Sequence, residues 1–259
     1  MAGVLLITGG SRGIGAATAR LAAQQGYAVA ITYRTEAARA EALLGEIRAC
    51  GGDGVAIQAD VAQQDQVARL FREVDQRFGR LSALVNSAGI NGGPETRVAD
   101  LEQPSLERLF ATNVIGTMLC CREAVRRMST AHGGAGGAIV NVSSMAATIG
   151  GRPGRSAYAA SKGAIDSFTM GCAREVAREG IRVNAIRPGM TLTDMTDPVR
   201  RDPALRARIG STIAMDRCAE PDEIARPILW LLSDEASFVS GALLDASGGG
   251  FMLAPVARA

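Results

Sequence analysis

The chain has 259 residues, 47% hydrophobic and 21% charged, enough for one sizeable α/β core or two small ones. Its 28 basic and 26 acidic residues leave a net charge of +2 and are interspersed without blocks. That excludes a nucleic-acid or membrane-surface footprint and favours a small-molecule site. The five cysteines, Cys50, Cys120, Cys121, Cys172 and Cys218, form no Cys-x-x-Cys pair, and the opening Met1-Ala-Gly-Val lacks a basic leader and a cleavage site. No apolar run approaches the roughly 18 residues of a membrane span. The expectation is a reduced, cytoplasmic protein.

Short apolar runs rich in branched residues recur at Val4 to Thr8, Ala28 to Tyr33, Val55 to Ala59, Leu81 to Asn86, Ala138 to Ser143, Ile181 to Arg187 and Ala242 to Asp245. They are strand-length and non-alternating, as strands buried on both faces should be. Between them lie helix-length amphipathic stretches: Gly13 to Gln25, Glu36 to Cys50, Gln63 to Phe78, Ser105 to Ser129, Ser156 to Glu179 and Pro221 to Ser233. The alternation predicts one domain, a doubly wound parallel sheet of about seven strands with helices on both faces. The stretch 191–219, with Pro198, Pro203 and mixed charge, breaks the alternation where a substrate lid belongs.

Directly after the first strand comes Thr8-Gly-Gly-Ser-Arg-Gly-Ile-Gly15, followed by an Ala-rich helical run. A strand, a glycine turn and a helix N-terminus form a phosphate site. Gly9 would allow the turn, Gly13 the approach of a pyrophosphate, and Gly15 close packing of helix on strand. At the end of the second strand, Tyr33 and Arg34 stand where an acidic side chain would hold the ribose hydroxyls of NAD. Arg34 and Arg12 could instead clamp a 2′-phosphate, which favours NADP(H). The alternative is a solvated Arg34 and a site that accepts both cofactors.

Later in the chain Tyr158 and Lys162 stand four apart in Ser156-Ala-Tyr-Ala-Ala-Ser-Lys-Gly-Ala, so both leave one helical face. Tyrosine titrates near 10, and a neighbouring cation lowers that value. The pair alone also occurs by chance on solvated helices. Together with Gly9-x-x-x-Gly13-x-Gly15, Asn86-Ser-Ala-Gly89 and Asn113, it resembles the short-chain dehydrogenase/reductase family over essentially the whole chain. From Asn141-Val-Ser-Ser onward the chain is most similar to the sugar-dehydrogenase and 3-oxoacyl-carrier-protein-reductase branches.

That resemblance implies a hydride-transferring oxidoreductase for a carbonyl and alcohol pair, usually a homotetramer or homodimer that pairs its late helices and final strand. Ser144 would hold the substrate oxygen, Tyr158 exchange the proton, and Lys162 lower the phenol's pKa and hold the nicotinamide ribose. Asn113 would bend its helix and hold a water leading to the lysine. Ser11, Ile14, Ala88 and Gly89 would line the cofactor with Gly9, Arg12, Gly13, Gly15, Tyr33, Arg34 and Asn86. Asp60 and Val61 match the adenine pair, though Asp60 could instead cap the helix near Gln63. Pro188, Gly189, Thr193 and then Thr191 match the segment that holds the carboxamide. Ser87 and Ser82 depart from the family's usual Asn and Asp.

Ser143 rivals Ser144, but strand alternation points it to the opposite face. Ser144 lies 14 residues before Tyr158, one more than is usual, as in the sugar-dehydrogenase branch. Asn91 to Glu95, Met145 to Arg155 and the lid would line the substrate pocket. Arg152 and Arg155 could bind an anionic substrate or be solvated. A sugar (glucose 1-) dehydrogenase is an alternative, and a non-catalytic NADP(H) sensor or assembly subunit is another. No metal site is expected, because His132 is the only histidine. Trp230 is expected in a core or subunit contact, and the tail Phe251-Met-Leu-Ala-Pro fits burial in an assembly.

Overall fold

The computed structural model describes residues 3–250, so the tail from Phe251 lies outside the described residues. Seven strands form one parallel sheet: β1 (Gly3–Thr8), β2 (Tyr27–Tyr33), β3 (Gly54–Gln58), β4 (Leu81–Asn86), β5 (Gly137–Val142), β6 (Ile181–Pro188) and β7 (Leu243–Ala246), in the order β3-β2-β1-β4-β5-β6-β7. The order reverses between β1 and β4, and a crevice opens at such a switch point beyond the carboxyl ends of the strands. Register aligns Thr8 with Asn86 and Asn86 with Asn141, so motifs 55 residues apart reach one edge.

Helices α1 (Gly13–Gln24), α2 (Ala37–Ala49), α3 (Gln64–Phe78), α4 (Gln103–Phe110), α5 (Gly116–Met128), α6 (Ala146–Ile149), α7 (Ser156–Val176), α8 (Asp197–Arg201), α9 (Pro203–Gly210) and α10 (Pro221–Leu232) connect the strands. Alternate strand residues feed two cores. Leu6, Leu84 and Ile139 pack with Val67, Phe71, Cys121 and Val176 under α3, α5 and α7. Leu5, Ile7, Val85 and Val140 pack with Ala19, Leu44 and Ile228 under α1, α2 and α10. These strands are buried on both sides, which is why they read as continuous apolar runs.

One expectation changes, and two others gain detail. The helix read over 105–129 is two helices joined by a π-helical turn, Ala111–Ile115. Such a turn holds an extra residue that hydrophobic periodicity does not reveal. Trp230 is 39% exposed, so it is not in this chain's core. The stretch 191–219 contains α8 and α9, is bracketed by a parallel bridge between Thr191 and Ala219, and has a small core of its own from Leu192, Val199, Ile209, Ile213 and Cys218. No helix among the described residues is long and apolar enough to cross a membrane.

Candidate active site

The glycine loop is fixed to the loop after β4. Thr8 Oγ1 accepts the N–H groups of Ser87 (3.2 Å) and Ala88 (3.1 Å). Gly9 turns with φ +65°, and a Cβ there would lie 2.8 Å from the Ala88 Cα. A Cβ on Gly15 would lie 2.5 Å from the Gly9 carbonyl oxygen, so α1 packs on the turn as expected. Arg12 precedes α1 in extended conformation, with no side-chain cap and no acidic residue in the helix's first turn. The first N–H groups of α1, from Gly13 onward, therefore face an anion site. Ser11 is partly exposed beside them, and the Ile14 side chain packs into the core, which leaves that residue's backbone for a ligand.

On the β2 side of the switch point, Tyr33 packs against the core while Arg34 is exposed. Asp60 does not cap α3, whose capping residue is Gln63. Its Oδ1 accepts the Ala62 N–H (3.0 Å), and its own N–H donates to Gln66 Oε1 (2.9 Å), an Asx turn that leaves the adenine reading standing. Val61 is 5% exposed and packs beneath Gly116, so its side chain belongs to the core. The Asn86 side chain also turns inward. Its Nδ2 donates to Asn141 Oδ1 (2.9 Å) and the Cys121 sulfur (3.2 Å), so only its backbone can reach the cleft.

The four expected catalytic residues converge from β5, α7 and the π turn. Asn113, on that turn, accepts the Ile90 N–H at Oδ1 (2.9 Å), while its Nδ2 donates to the Ile90 carbonyl (2.9 Å) and to Ser161 Oγ (3.1 Å). The side chain thus ties the turn to the loop after β4 and to α7. A Cβ on Gly89 would lie 3.4 Å from Asn113 Oδ1 and 3.6 Å from Lys162 Nζ, which places Gly89 between them. Lys162 is buried, donates to the Val142 carbonyl (2.8 Å), and has Nζ 5.9 Å from the centre of the Tyr158 ring. Burial lowers its pKa to about 8, opposed by the charge of Asp166 one turn along α7.

Ser144 follows β5. Its Oγ accepts the Ala146 N–H (3.1 Å) and is hydrogen-bonded with Tyr158. Ser143 points the other way and donates to the Lys162 carbonyl (3.2 Å), as strand alternation predicts. Burial raises the pKa of Tyr158, while the Ser144 hydrogen bond and the Arg155 charge lower it. Lys162 was the expected source of that lowering. The charge that acts on the phenol here is that of Arg155. Arg155 is not simply solvated. Its Nη1 donates to the carbonyls of Asn91 (3.0 Å) and Gly93 (2.6 Å) and joins the α7 entrance to the far wall of the cleft. Nothing in its sequence neighbourhood signalled that tie, because its partners are backbone atoms about 60 residues away. Arg152 is exposed.

The loop after β6 completes the cleft. Met145 N–H donates to the Pro188 carbonyl (3.0 Å), and Gly189 N–H to the Ala246 carbonyl (2.9 Å). Thr191 is 4% exposed and donates to the Gly189 carbonyl (3.2 Å), so its hydroxyl is used internally. Thr193 is partly exposed, and its Cγ2 lies 3.3 Å from where a Cβ of Gly13 would sit, directly over the glycine loop.

A family profile described as Enoyl-(Acyl carrier protein) reductase matches residues 9–250, from the glycine loop to the last described residue. A short-chain dehydrogenase/reductase of Serratia marcescens superposes with a TM-score of 0.87 and 33% identity, covering 95% of this chain and 96% of that one. The chain belongs to the short-chain dehydrogenase/reductase family. A dehydrogenase/reductase from Sinorhizobium meliloti 1021 is similar at 37% identity and a TM-score of 0.85, covering 95% of this chain and 94% of that one. By sequence, this family member is 47% identical to an uncharacterized oxidoreductase, YgfF, of Escherichia coli K12 (95% of this chain, 99% of the relative). It is 36% identical to a 3-oxoacyl-[acyl-carrier-protein] reductase, FabG, of Staphylococcus aureus (95% and 97%).

Proposed function

We propose that the protein is an NADP(H)-dependent oxidoreductase that interconverts a ketone or aldehyde with an alcohol, with Tyr158 as proton donor and acceptor. The observation that carries this is the meeting of Ser144, Tyr158, Lys162 and Asn113 at the sheet edge, beside a helix N-terminus with no cap of its own. The nicotinamide, when bound, supplies or accepts the hydride. The uncapped N–H groups of α1 would hold the pyrophosphate. Arg12 and Arg34 would hold the 2′-phosphate and Asp60 the adenine. Thr193 would hold the carboxamide end.

In the reducing direction the substrate oxygen sits between the hydroxyls of Ser144 and Tyr158. Ser144 accepts the Ala146 N–H, which orients its hydroxyl, and its proton would turn from Tyr158 to steady charge growing on that oxygen. Tyr158 is kept in its phenol form by burial, so it enters reduction carrying the proton it must give. Lys162, fixed by Val142, keeps further ammonium protons for the ribose hydroxyls and for returning a proton to the tyrosine. The stretch 191–219 acts as the lid. Relatives named 3-oxoacyl-[acyl-carrier-protein] reductases support a ketone on an acyl chain as the substrate class. We place the enzyme in the cytoplasm as a homotetramer or homodimer. Five unpaired cysteines support a reducing compartment, and the outward-facing Trp230 and Phe238 support assembly.

The test is a screen of ketones, 3-oxoacyl thioesters and aldoses with NADPH, NADH and their oxidised forms, for the native chain and Tyr158→Phe. The native chain should turn over with NADPH. The variant should lose at least about a hundredfold in kcat while still binding cofactor. Unchanged turnover in Tyr158→Phe would remove the assigned proton donor, and cofactor binding without any turnover would point to a sensor or assembly subunit.

A further inference from the structure

Asp194, at the start of the stretch 191–219, is where three arginines from three elements meet. Arg12, ahead of α1, brings Nη1 to 3.8 Å from its Oδ2, and Arg39, on the first turn of α2, hydrogen-bonds that same oxygen. Arg200 of α8 has Nη2 3.8 Å from Oδ1. Other charges nearby are Glu36, 3.4 Å from Arg39 Nε, and Asp197, which is bonded to Arg200 and paired with Arg201 Nε at 2.6 Å. Arg34 was expected to complete the phosphate clamp with Arg12, yet its guanidinium has no ion-pair partner among the described residues. Its carbonyl accepts Gln58 Nε2 (2.9 Å). No motif in the sequence marks Arg39. Only folding shows that it and Arg12, 27 residues apart, aim at one oxygen.

Two guanidiniums that share one acceptor define an anion position, and the Asp194 carboxylate marks it. The position lies between the glycine loop and the first turn of α2, where the 2′-phosphate of a dinucleotide bound at the switch point would come. Arg12 and Arg39 are each about half exposed (54% and 51%), so the carboxylate holds them weakly and can be displaced. A phosphate brings more charge and three acceptor oxygens to the same forks.

We propose that Arg39, together with Arg12, binds the 2′-phosphate of NADP(H), and that Asp194 is the anion this phosphate displaces. The inference rests on the NADP(H) reading above and adds a specificity residue to it. It also makes the beginning of the lid a strap. Before cofactor binds, Asp194 ties residues 191–197 across the phosphate loop to α2, and the incoming phosphate takes both arginines and releases it.

The test is calorimetric binding of 2′,5′-ADP and 5′-AMP to the native chain, Arg39→Gln and Asp194→Asn, at one fixed ionic strength because exposed ion pairs are screened. Arg39→Gln should weaken 2′,5′-ADP by about tenfold and 5′-AMP by less than about twofold. Asp194→Asn should tighten 2′,5′-ADP by about threefold or more, since the competing anion is gone. An Arg39→Gln chain that keeps the native preference for 2′,5′-ADP overturns the arginine's role. An Asp194→Asn chain with native affinity overturns the displacement. If the native chain itself does not distinguish the two nucleotides, the NADP(H) reading falls too, whereas a discriminating native chain with an indifferent Arg39→Gln sinks this proposal alone.

Discussion

Lys162, a buried member of the proposed active site, sets stability against its proposed role. It is 6% exposed, its pKa is lowered to about 8, and the opposing Asp166 carboxylate is itself raised by burial, with Arg187 3.6 Å away. A lysine whose folded pKa lies below its usual 10.5 binds its proton more weakly folded than unfolded. Stability therefore rises as pH climbs from about 8 to 10.5, and below about 8 the folded chain carries the full cost of the buried charge. At about 1.36 kcal/mol per pH unit that cost has a ceiling of about 3 kcal/mol, reduced by about 1 kcal/mol for the Val142 hydrogen bond. Lys162→Met should thus be more stable than the native chain by about 2 kcal/mol at pH 7, with the gain vanishing near pH 10.5, while turnover is lost. Thermal unfolding across that pH range checks it; a variant no more stable at pH 7, or a gain that does not shrink with pH, refutes the assignment. The pairing with Tyr158 could be read from spacing alone, because four residues are one helical turn. The direction of the electrostatics could not, because burial depends on residues distant in sequence.

At the scale of elements, the π turn Ala111–Ile115 is the feature that organises the cleft. It swings Asn113 toward the loop after β4, where the side chain satisfies both the N–H and the carbonyl of Ile90. That loop has no sheet partner for those groups, so a missing Asn leaves them unpaired in a partly buried place. Asn113→Ala should lower unfolding free energy by about 2 kcal/mol in urea titrations, alongside its loss of turnover. A change below about 0.5 kcal/mol would mean that water replaces the side chain and that the turn stands without it. The strands and most helices were legible because burial on both faces leaves continuous apolar runs and because Gly9 and Gly15 are demanded by local sterics. The π turn was not legible in the amphipathic pattern, which one inserted residue leaves almost unchanged; only the bend that the family resemblance implied at Asn113 pointed to it. Val61 and Asn86 lie on correctly read loops and strand ends, yet their side chains point into the core, an orientation set by the packing of α5 and by strand pairing.

At the scale of the whole molecule, the two cores either side of the sheet are closed, but the flank formed by α10 and the approach to β7 is not. Trp230 is 39% exposed on α10, and Phe238, just before β7, is fully exposed. Large aromatic side chains facing water on neighbouring segments signal a surface that another chain covers. Assembly through this flank follows from the proposed homotetramer or homodimer. Trp230 is the only tryptophan, so its fluorescence reports on this surface alone. In the assembled protein its emission should be blue-shifted and should move to the red on dilution, in step with a fall in sedimenting mass. The double variant Trp230→Ser, Phe238→Ser should sediment as a smaller species at the same concentration and unfold at lower temperature, because an interface stabilises the folded chain by mass action. It should still bind cofactor, since both side chains face outward. Red-edge emission independent of concentration, with native and variant chains both sedimenting as monomers, would show that this flank faces solvent.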